Sequence, residues 1–406
     1  MAFNKNITQN FNIIILTLIY ISFSIPSINE DLIAQNTALL VRQLGFFFAI
    51  LYFSIIYIKK NSKIHDIDFP ILIPQTFSKR ILIIVWFLFA FTVGISNYIN
   101  DNSISFGLGF MFFIPFFYYM VIPNIISDSV MVILKSAMYA CFFFVLISMI
   151  LEPDFFNVFL NNSIHGYSGI TPNSNNLGLL AFVSSLSSSL LVLDIYLENK
   201  KNRIVIVYII IFILSIFVLL LSKSRTPFIA LIIAFLFYVL ELVKNRKFTF
   251  LFFGLFIFAV IYFLFLDDIL AKGILSKFQD SLSSDNLLSN RYSIWSTTFK
   301  DAKLFGNGQH YFSDYLGYEA HNSIIHYIGT FGYISGTFLA IFLILSSIVS
   351  YVYYKRNRTF ENFAVMIYII CYFVILQMES IFIVFSIAPT MIFYTFIGKL
   401  IFGKNN

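Results

Sequence analysis

The sequence predicts an all-α polytopic membrane protein of about 12 transmembrane helices, with a long, partly helical outer loop between helices 9 and 10. Three observations predict it. Hydrophobic residues make up 59% of the chain and charged residues 11%, where soluble domains carry roughly a quarter charged; the mean hydropathy is +0.86. Stretches such as 204–221 and 248–266 are apolar at every phase, which excludes the alternation of a membrane β-barrel. A helix is then the element that satisfies each N–H and C=O within its own segment. Finally, basic residues gather in alternate loops.

Apolar runs place helices near 11–25, 38–58, 81–98, 104–122, 130–151, 176–197, 204–221, 226–243, 248–266, 323–353, 362–378 and 380–398. The first run has no small-residue cleavage site and further spans follow it, so it reads as an uncleaved first helix. With the N-terminus inside, Lys59, Lys60, Lys63, Lys79 and Arg80, then Lys200, Lys201 and Arg203, then Lys244, Arg246 and Lys247, then Lys355, Arg356 and Arg358 all fall in inner loops. Adding Lys5, Lys135, Lys399 and Lys404 places about 18 of the 26 basic residues inside, as the positive-inside rule requires. Membrane topology thus accounts for the net charge of +6, and no nucleic-acid partner is implied. The chain reads as a single integral membrane domain over 1–406, with 267–322 as its long outer loop. Four of the five histidines, His165, His310, His321 and His326, lie on or near the outer face. Cys141 and Cys371 sit inside apolar runs without metal or disulfide spacing, so they read as core residues. No Asp-x-Asp pair stands at an outer helix end, and neither a metal nor a cofactor is expected.

Ionisable residues at membrane depth are costly and mark functional sites by default. In Leu221-Ser222-Lys223-Ser224-Arg225-Thr226-Pro227, two cations occupy a tight outer turn, against the topological trend. Arg225 can offer a phosphate its planar fork of donors, and Lys223 a point charge; both can equally snorkel to the interface. In Ser289–Phe299, Tyr292, Trp295 and Phe299 share one helical face, suited to the outer leaflet, with Arg291 at headgroup level. That arginine is either an interfacial anchor or a phosphate ligand. In Glu319-Ala320-His321-Asn322-Ser323, the long loop re-enters the membrane, and His321 can accept a proton near neutral pH or serve as an ordinary hydrogen-bonding residue. His326, five residues on, is not at a same-face spacing. Gly306-Asn307-Gly308 is a turn rather than a phosphate loop. The polar stretch Gly169–Asn176, with Asn173, opens a helix and suits either an N-cap or an anion or sugar contact.

The order of these pieces resembles the O-antigen polymerase and O-antigen ligase superfamily of bacterial membrane glycosyltransferases. The sequence runs from Pro-Asn before a helix to Ser-x-Ser-Arg. It continues with an outer-loop Arg and Gly-x-Gly, and ends with His-Asn leading into a helix with Phe331-Gly332 and Ser335-Gly336. The resemblance spans roughly 165–340. It implies metal-independent, inverting glycosyl transfer at the outer face of the bacterial cytoplasmic (inner) membrane, the active site facing the periplasm or outside. The implied donor is a polyprenyl-pyrophosphate-linked oligosaccharide, the acceptor a glycan hydroxyl, and the surroundings membrane lipid. A chain-length regulator is a further candidate partner. By resemblance His321 is the acceptor-activating base, and Arg225 and Arg291 stabilise the departing pyrophosphate. Lys223, Ser224, Asn322, His326, Asn173 and Tyr292 are candidate substrate contacts.

The leading expectation is a polymerase joining repeat units of O-antigen or capsular polysaccharide. Its rival is a ligase moving finished glycan to lipid A–core. A flippase is the rival of another class; it is disfavoured by the asymmetric outer loop that carries most of the candidate residues, because transporters commonly show symmetry between halves.

Overall fold

The apolar runs fold as helices, the one element that meets its own hydrogen-bonding needs in hydrocarbon. The computed structural model describes residues 2–61, 76–103, 126, 128–155, 166–198, 203–246, 291–381 and 387–402. They form α1 (Ala2–Ser24), α2 (Gln35–Asn61), α3 (Phe77–Asp101), α4 (Ser129–Leu151), α5 (Ser174–Leu197), α6 (Ile204–Leu221), α7 (Arg225–Lys244), α8 (Arg291–Asp301), α9 (Ser323–Arg356), α10 (Phe360–Leu376) and α11 (Ala388–Phe402). A π-helical turn, Tyr311–Leu316, precedes α9. No strand occurs among the described residues. Of these helices, α1 to α7 and α9 are long and apolar enough to cross a membrane; α10 and α11 are apolar but shorter. The expected polytopic all-helical class is therefore observed. The expected spans 104–122 and 248–266, and most of the loop before Arg291, lie outside the described residues. The last helix begins at Ala388 rather than 380: Pro389, its second residue, lacks an N–H and suits a first turn.

Faces turned away from protein are apolar. On α2, Leu40, Leu44, Phe47, Phe48, Leu51, Ile55 and Ile58 are exposed, as are Ile206, Ile209, Ile210 and Ile213 on α6. Their three-and-four spacing is a helical stripe, and stripes of that size require lipid rather than water.

The chain divides into two compact units. One comprises Met1–Phe23, Leu40–Ser136 and Asn290–Asn406. Its core is aromatic: Trp86 packs on Phe89 (5.3 Å), Phe342 (5.0 Å) and Tyr394 (5.9 Å), and Tyr368 stacks on Phe396 at 4.1 Å. Such pairs add roughly 0.5–1.5 kcal/mol each beyond area burial. Within this unit α9 is broken at Gly332, where φ is +94°. A break in a membrane helix strands backbone groups, and neighbouring protein must satisfy them. Here the chain after α8 does so. Asn307 N donates to Gly329 O and Gly308 N to Thr330 O, both at 3.1 Å, while Tyr333 N donates to Lys303 O at 3.2 Å. The approach is so close that a Cβ on Gly332 would lie 2.2 Å from Leu304 O. The loop is thereby latched to a membrane helix.

The other unit comprises Ser24–Leu39 and Ala137–Ser289. Its central helix, α5, buries Ser184, Ser185, Ser187 and Ser188. These small hydroxyls return hydrogen bonds to the preceding turn and let helices approach closely; Ser215 Oγ of α6 donates to Ser184 Oγ at 2.8 Å.

Candidate active site

In the first unit, Gln377–Ile381, the described stretch that follows α10, collects side chains from two distant segments. Arg291, the first residue of α8, donates from Nη1 to Met378 O at 3.1 Å. That bond fixes the guanidinium to backbone without consuming its charge. Asn322 caps α9, its Oδ1 accepting from Ile325 N (3.0 Å), while its Nδ2 donates to Gln377 O (2.9 Å) and its N–H to Ser380 Oγ (3.1 Å). Ser323 Oγ donates to Glu379 O at 2.8 Å. His321 stands beside this cap, its Nδ1 3.9 Å from Glu379 Oε2.

The imidazole is 39% exposed, yet Nδ1 itself is shielded and has no hydrogen-bond partner among the described residues. The exposure of this side chain therefore lies at atoms other than Nδ1. The carboxylate of Glu379 is only 14% exposed. A separation of 3.9 Å is electrostatic contact rather than a hydrogen bond, and pairs of this kind tighten when substrate completes a site. His321 is also held at φ +50°, a left-handed conformation that costs roughly 1–2 kcal/mol in a residue with a Cβ. Strain of this sort concentrates at functional positions.

The second unit holds Ser222–Arg225 between α6 and α7. Gly166 and Gly178 give it room: a Cβ on the first would lie 2.0 Å from Ser222 O, and on the second 2.7 Å from Ser224 Cβ. Tyr167 N adds a bond to Leu221 O at 2.9 Å. Lys223 is buried with φ +53°, and burial pushes its ammonium below the usual lysine range. Ser224 is the N-cap of α7, yet its shielded Oγ makes no capping bond and has no partner among the described residues. Pro227 explains part of this, since it removes the N3 N–H that an N-cap serine commonly engages. The turn therefore brings a hydroxyl, a buried ammonium, Arg225 and a helix N-terminus into four consecutive positions, a set suited to an anion.

Of the expected residues, the structure brings Arg291, His321 and Asn322 to one connection and keeps Lys223, Ser224 and Arg225 in one turn. It does not bring His326 to His321. The His326 ring stacks on Phe312 at 4.7 Å, inside the protein. Asn173 is an N-cap, its Oδ1 accepting from Asn176 N at 2.9 Å. Tyr292 is 71% exposed. The aromatic face of α8 does not act as one surface, because Trp295 Nε1 donates to Ala320 O at 2.7 Å and its indole packs beside Phe312 and Ile325. A buried indole N–H needs an acceptor, and the chain supplies one. His165 lies outside the described residues. Sequence reasoning missed Glu379, although it is the one acidic residue after Glu361 in an otherwise apolar tract, a signal that could have found it.

Residues 209–339 match the family model described as O-antigen ligase. No curated protein matches the chain. The matched stretch contains Lys223, Arg225, Arg291 and His321, and it supports the O-antigen polymerase and ligase superfamily.

Proposed function

We propose, from a chain whose residues 209–339 belong with the O-antigen ligase family, that it polymerises polyprenyl-pyrophosphate-linked repeat units at the outer face of the cytoplasmic membrane. The family match itself supports ligase- or polymerase-type activity on lipid-linked glycan. The observation that carries the glycosyl-transfer reading, common to polymerase and ligase, is the gathering of Arg291, His321 and Glu379 at one connection.

In the proposed step an acceptor hydroxyl attacks the anomeric carbon of the donor sugar. The new carbon–oxygen bond forms as the bond to phosphate breaks, and the electron pair leaves with the polyprenyl pyrophosphate. His321 Nε2 takes the hydroxyl proton, while Glu379 holds the ring from its Nδ1 side and balances the imidazolium. Arg291 and Arg225, with Lys223 and the Ser224 hydroxyl, are the groups suited to the developing pyrophosphate charge, because fixed donors in a poorly hydrated site need no reorganisation. Attack opposite the leaving group inverts the anomeric centre. Asn322, the N-cap of α9, fixes the backbone directly after His321.

Replacing His321 by Ala is expected to lower transfer by about 10²–10⁴-fold and remove long-chain polymer while the protein still inserts. Normal chain lengths in that variant would sink the mechanism. The family description favours a second reading, a ligase. A deletion strain separates the two: single-repeat capped molecules identify a polymerase, and polymer stranded on the carrier identifies a ligase. Transfer by purified protein in detergent, with no membrane to cross, excludes a pure flippase.

A further inference from the structure

The residues assigned to the reaction leave one feature of the same unit unused. A cleft of about 410 Å³ opens beside the end of α3 and the chain after α8, with Asp101, Asp301, Asn307, Gln309, Tyr311 and Tyr315 among its lining residues. Its walls are fixed. Asn100 Nδ2 donates to Phe305 O at 3.0 Å, Ser96 Oγ to the same oxygen at 2.6 Å, and Gln309 Nε2 to Asn97 Oδ1 at 3.2 Å. The bonds to the Gly332 break hold the same loop from its other neighbour, α9. Gly308 supplies the φ of +96° that this turn requires, a conformation in which a residue with a Cβ would be strained.

The lining has two chemistries. Tyr315 is 71% exposed and stacks on the buried Tyr311 (5.7 Å, 20°), so Tyr315, backed by Tyr311, presents an aromatic surface. Around it stand the carboxylates of Asp101 and Asp301 and the amides of Asn307 and Gln309. Tyr311 OH lies 3.4 Å from Asp301 Oδ2; burial first and Asp301 second push its hydroxyl up to about 12, so it stays a donor. Asn307 Nδ2 is shielded and has no partner among the described residues, a donor in want of an acceptor.

We infer that this cleft is a sugar subsite, holding the glycan part of a substrate rather than its pyrophosphate, an inference that rests on the glycosyl-transfer reading above. A sugar ring has an apolar C–H face for an aromatic wall and a hydroxyl edge. Carboxylates accept hydrogen bonds from that edge, and side-chain amides both donate and accept. The lining also carries the His310 imidazole, 3.9 Å from Asp314, but neither Lys nor Arg; its two carboxylates disfavour pyrophosphate and acidic sugars, so the cleft favours neutral or amino-substituted units. Its position is consistent with a substrate that also reaches His321: Tyr311 and Phe312 pack with Ala320, the residue before that histidine, and Trp295 bridges them.

The test uses the full-length protein in lipid nanodiscs and, as probe, the oligosaccharide released by mild acid from the carrier lipid of the source cells. Binding is read by saturation-transfer NMR. The wild type is expected to bind it, and Tyr315→Ala and Asp101→Asn each to weaken binding about tenfold. Inorganic pyrophosphate is expected not to compete. Absence of binding by the wild type, unchanged binding in both cleft variants, or competition by pyrophosphate overturns the subsite. Failure of the two ideas is distinguishable. Glycan binding by a wild type that transfers nothing removes the enzymatic reading and keeps the cleft, whereas normal transfer and binding in both cleft variants removes the cleft and keeps the enzyme.

Discussion

The two cationic turns of this protein are built by opposite means. Ser222–Arg225 is contiguous in sequence and is shaped by what is missing around it: glycines at 166 and 178 leave the space it occupies. The Arg291–His321–Glu379 cluster is assembled from three segments, the first and last 88 positions apart by number, and is held by bonds that Arg291 and the two residues after His321, Asn322 and Ser323, make to the backbone carbonyls of Met378, Gln377 and Glu379. A turn defined by packing fails when atoms are added. A cluster defined by hydrogen bonds fails when donors or acceptors are removed. Each of the two groups can therefore be broken by a substitution of a kind that the other would tolerate.

The largest structural effect is expected from adding a single carbon to the packed turn. In Gly166→Ala the new Cβ would lie 2.0 Å from Ser222 O and 2.7 Å from Ser222 C, both backbone atoms that cannot swing aside. Overpacking of this kind costs about 1–3 kcal/mol or more, and it would displace the backbone that carries Lys223 and Arg225. The melting temperature in detergent should fall by several degrees, with loss of long-chain polymer. A variant that melts and polymerises like the wild type would show that the glycine packing does not define this turn.

That contrast also explains what was readable from the sequence. Helices were legible because lipid leaves a long apolar run one way to satisfy its backbone, so α6 was located to the residue. That Lys223, Ser224 and Arg225 share one turn was legible because they are neighbours and break the charge pattern. Glu379 was not, because its partner His321 is 58 positions away and nothing local records the pairing. Trp295 escapes the sequence for a related reason: a helical stripe shows which residues share a face, but only the carbonyl of Ala320, brought in by a separate segment, turns Trp295 inward while Tyr292 and Phe299 stay exposed. Asn322 and Asn173 were expected to touch substrate, and both are occupied as caps. An asparagine before a helix is commonly a cap, and capping bonds use the same atoms that would bind a sugar.

A smaller and more selective effect is expected from the hydrogen-bonded half. Glu379→Gln keeps the size of the side chain and removes its charge, leaving the bonds from Ser323 and Asn322 to the backbone intact. If Glu379 positions His321, turnover should fall by about 100-fold, the scale associated with a misplacement of an ångström, while KM for the lipid-linked donor is kept and Glu379→Asp recovers part of the rate. A merely structural role would instead lower the amount of folded protein and leave the turnover of what remains unchanged.

The smallest effect tests whether the packed turn carries a cost. Burial lowers the pKa of Lys223, so between its folded value and the unfolded value of 10.5 the native state binds fewer protons than the unfolded one. Stability then rises with pH across that window, because the desolvation penalty of the ammonium is relieved as it deprotonates. Below the folded value the penalty is present in full. Lys223→Met should therefore melt slightly above the wild type at neutral pH, and the gap should close as pH approaches and passes 10.5. A gap that stayed constant with pH would assign the gain to packing rather than charge. A variant less stable than the wild type at neutral pH would mean that the turn draws net stability from the ammonium, and the penalty argued from burial would be wrong.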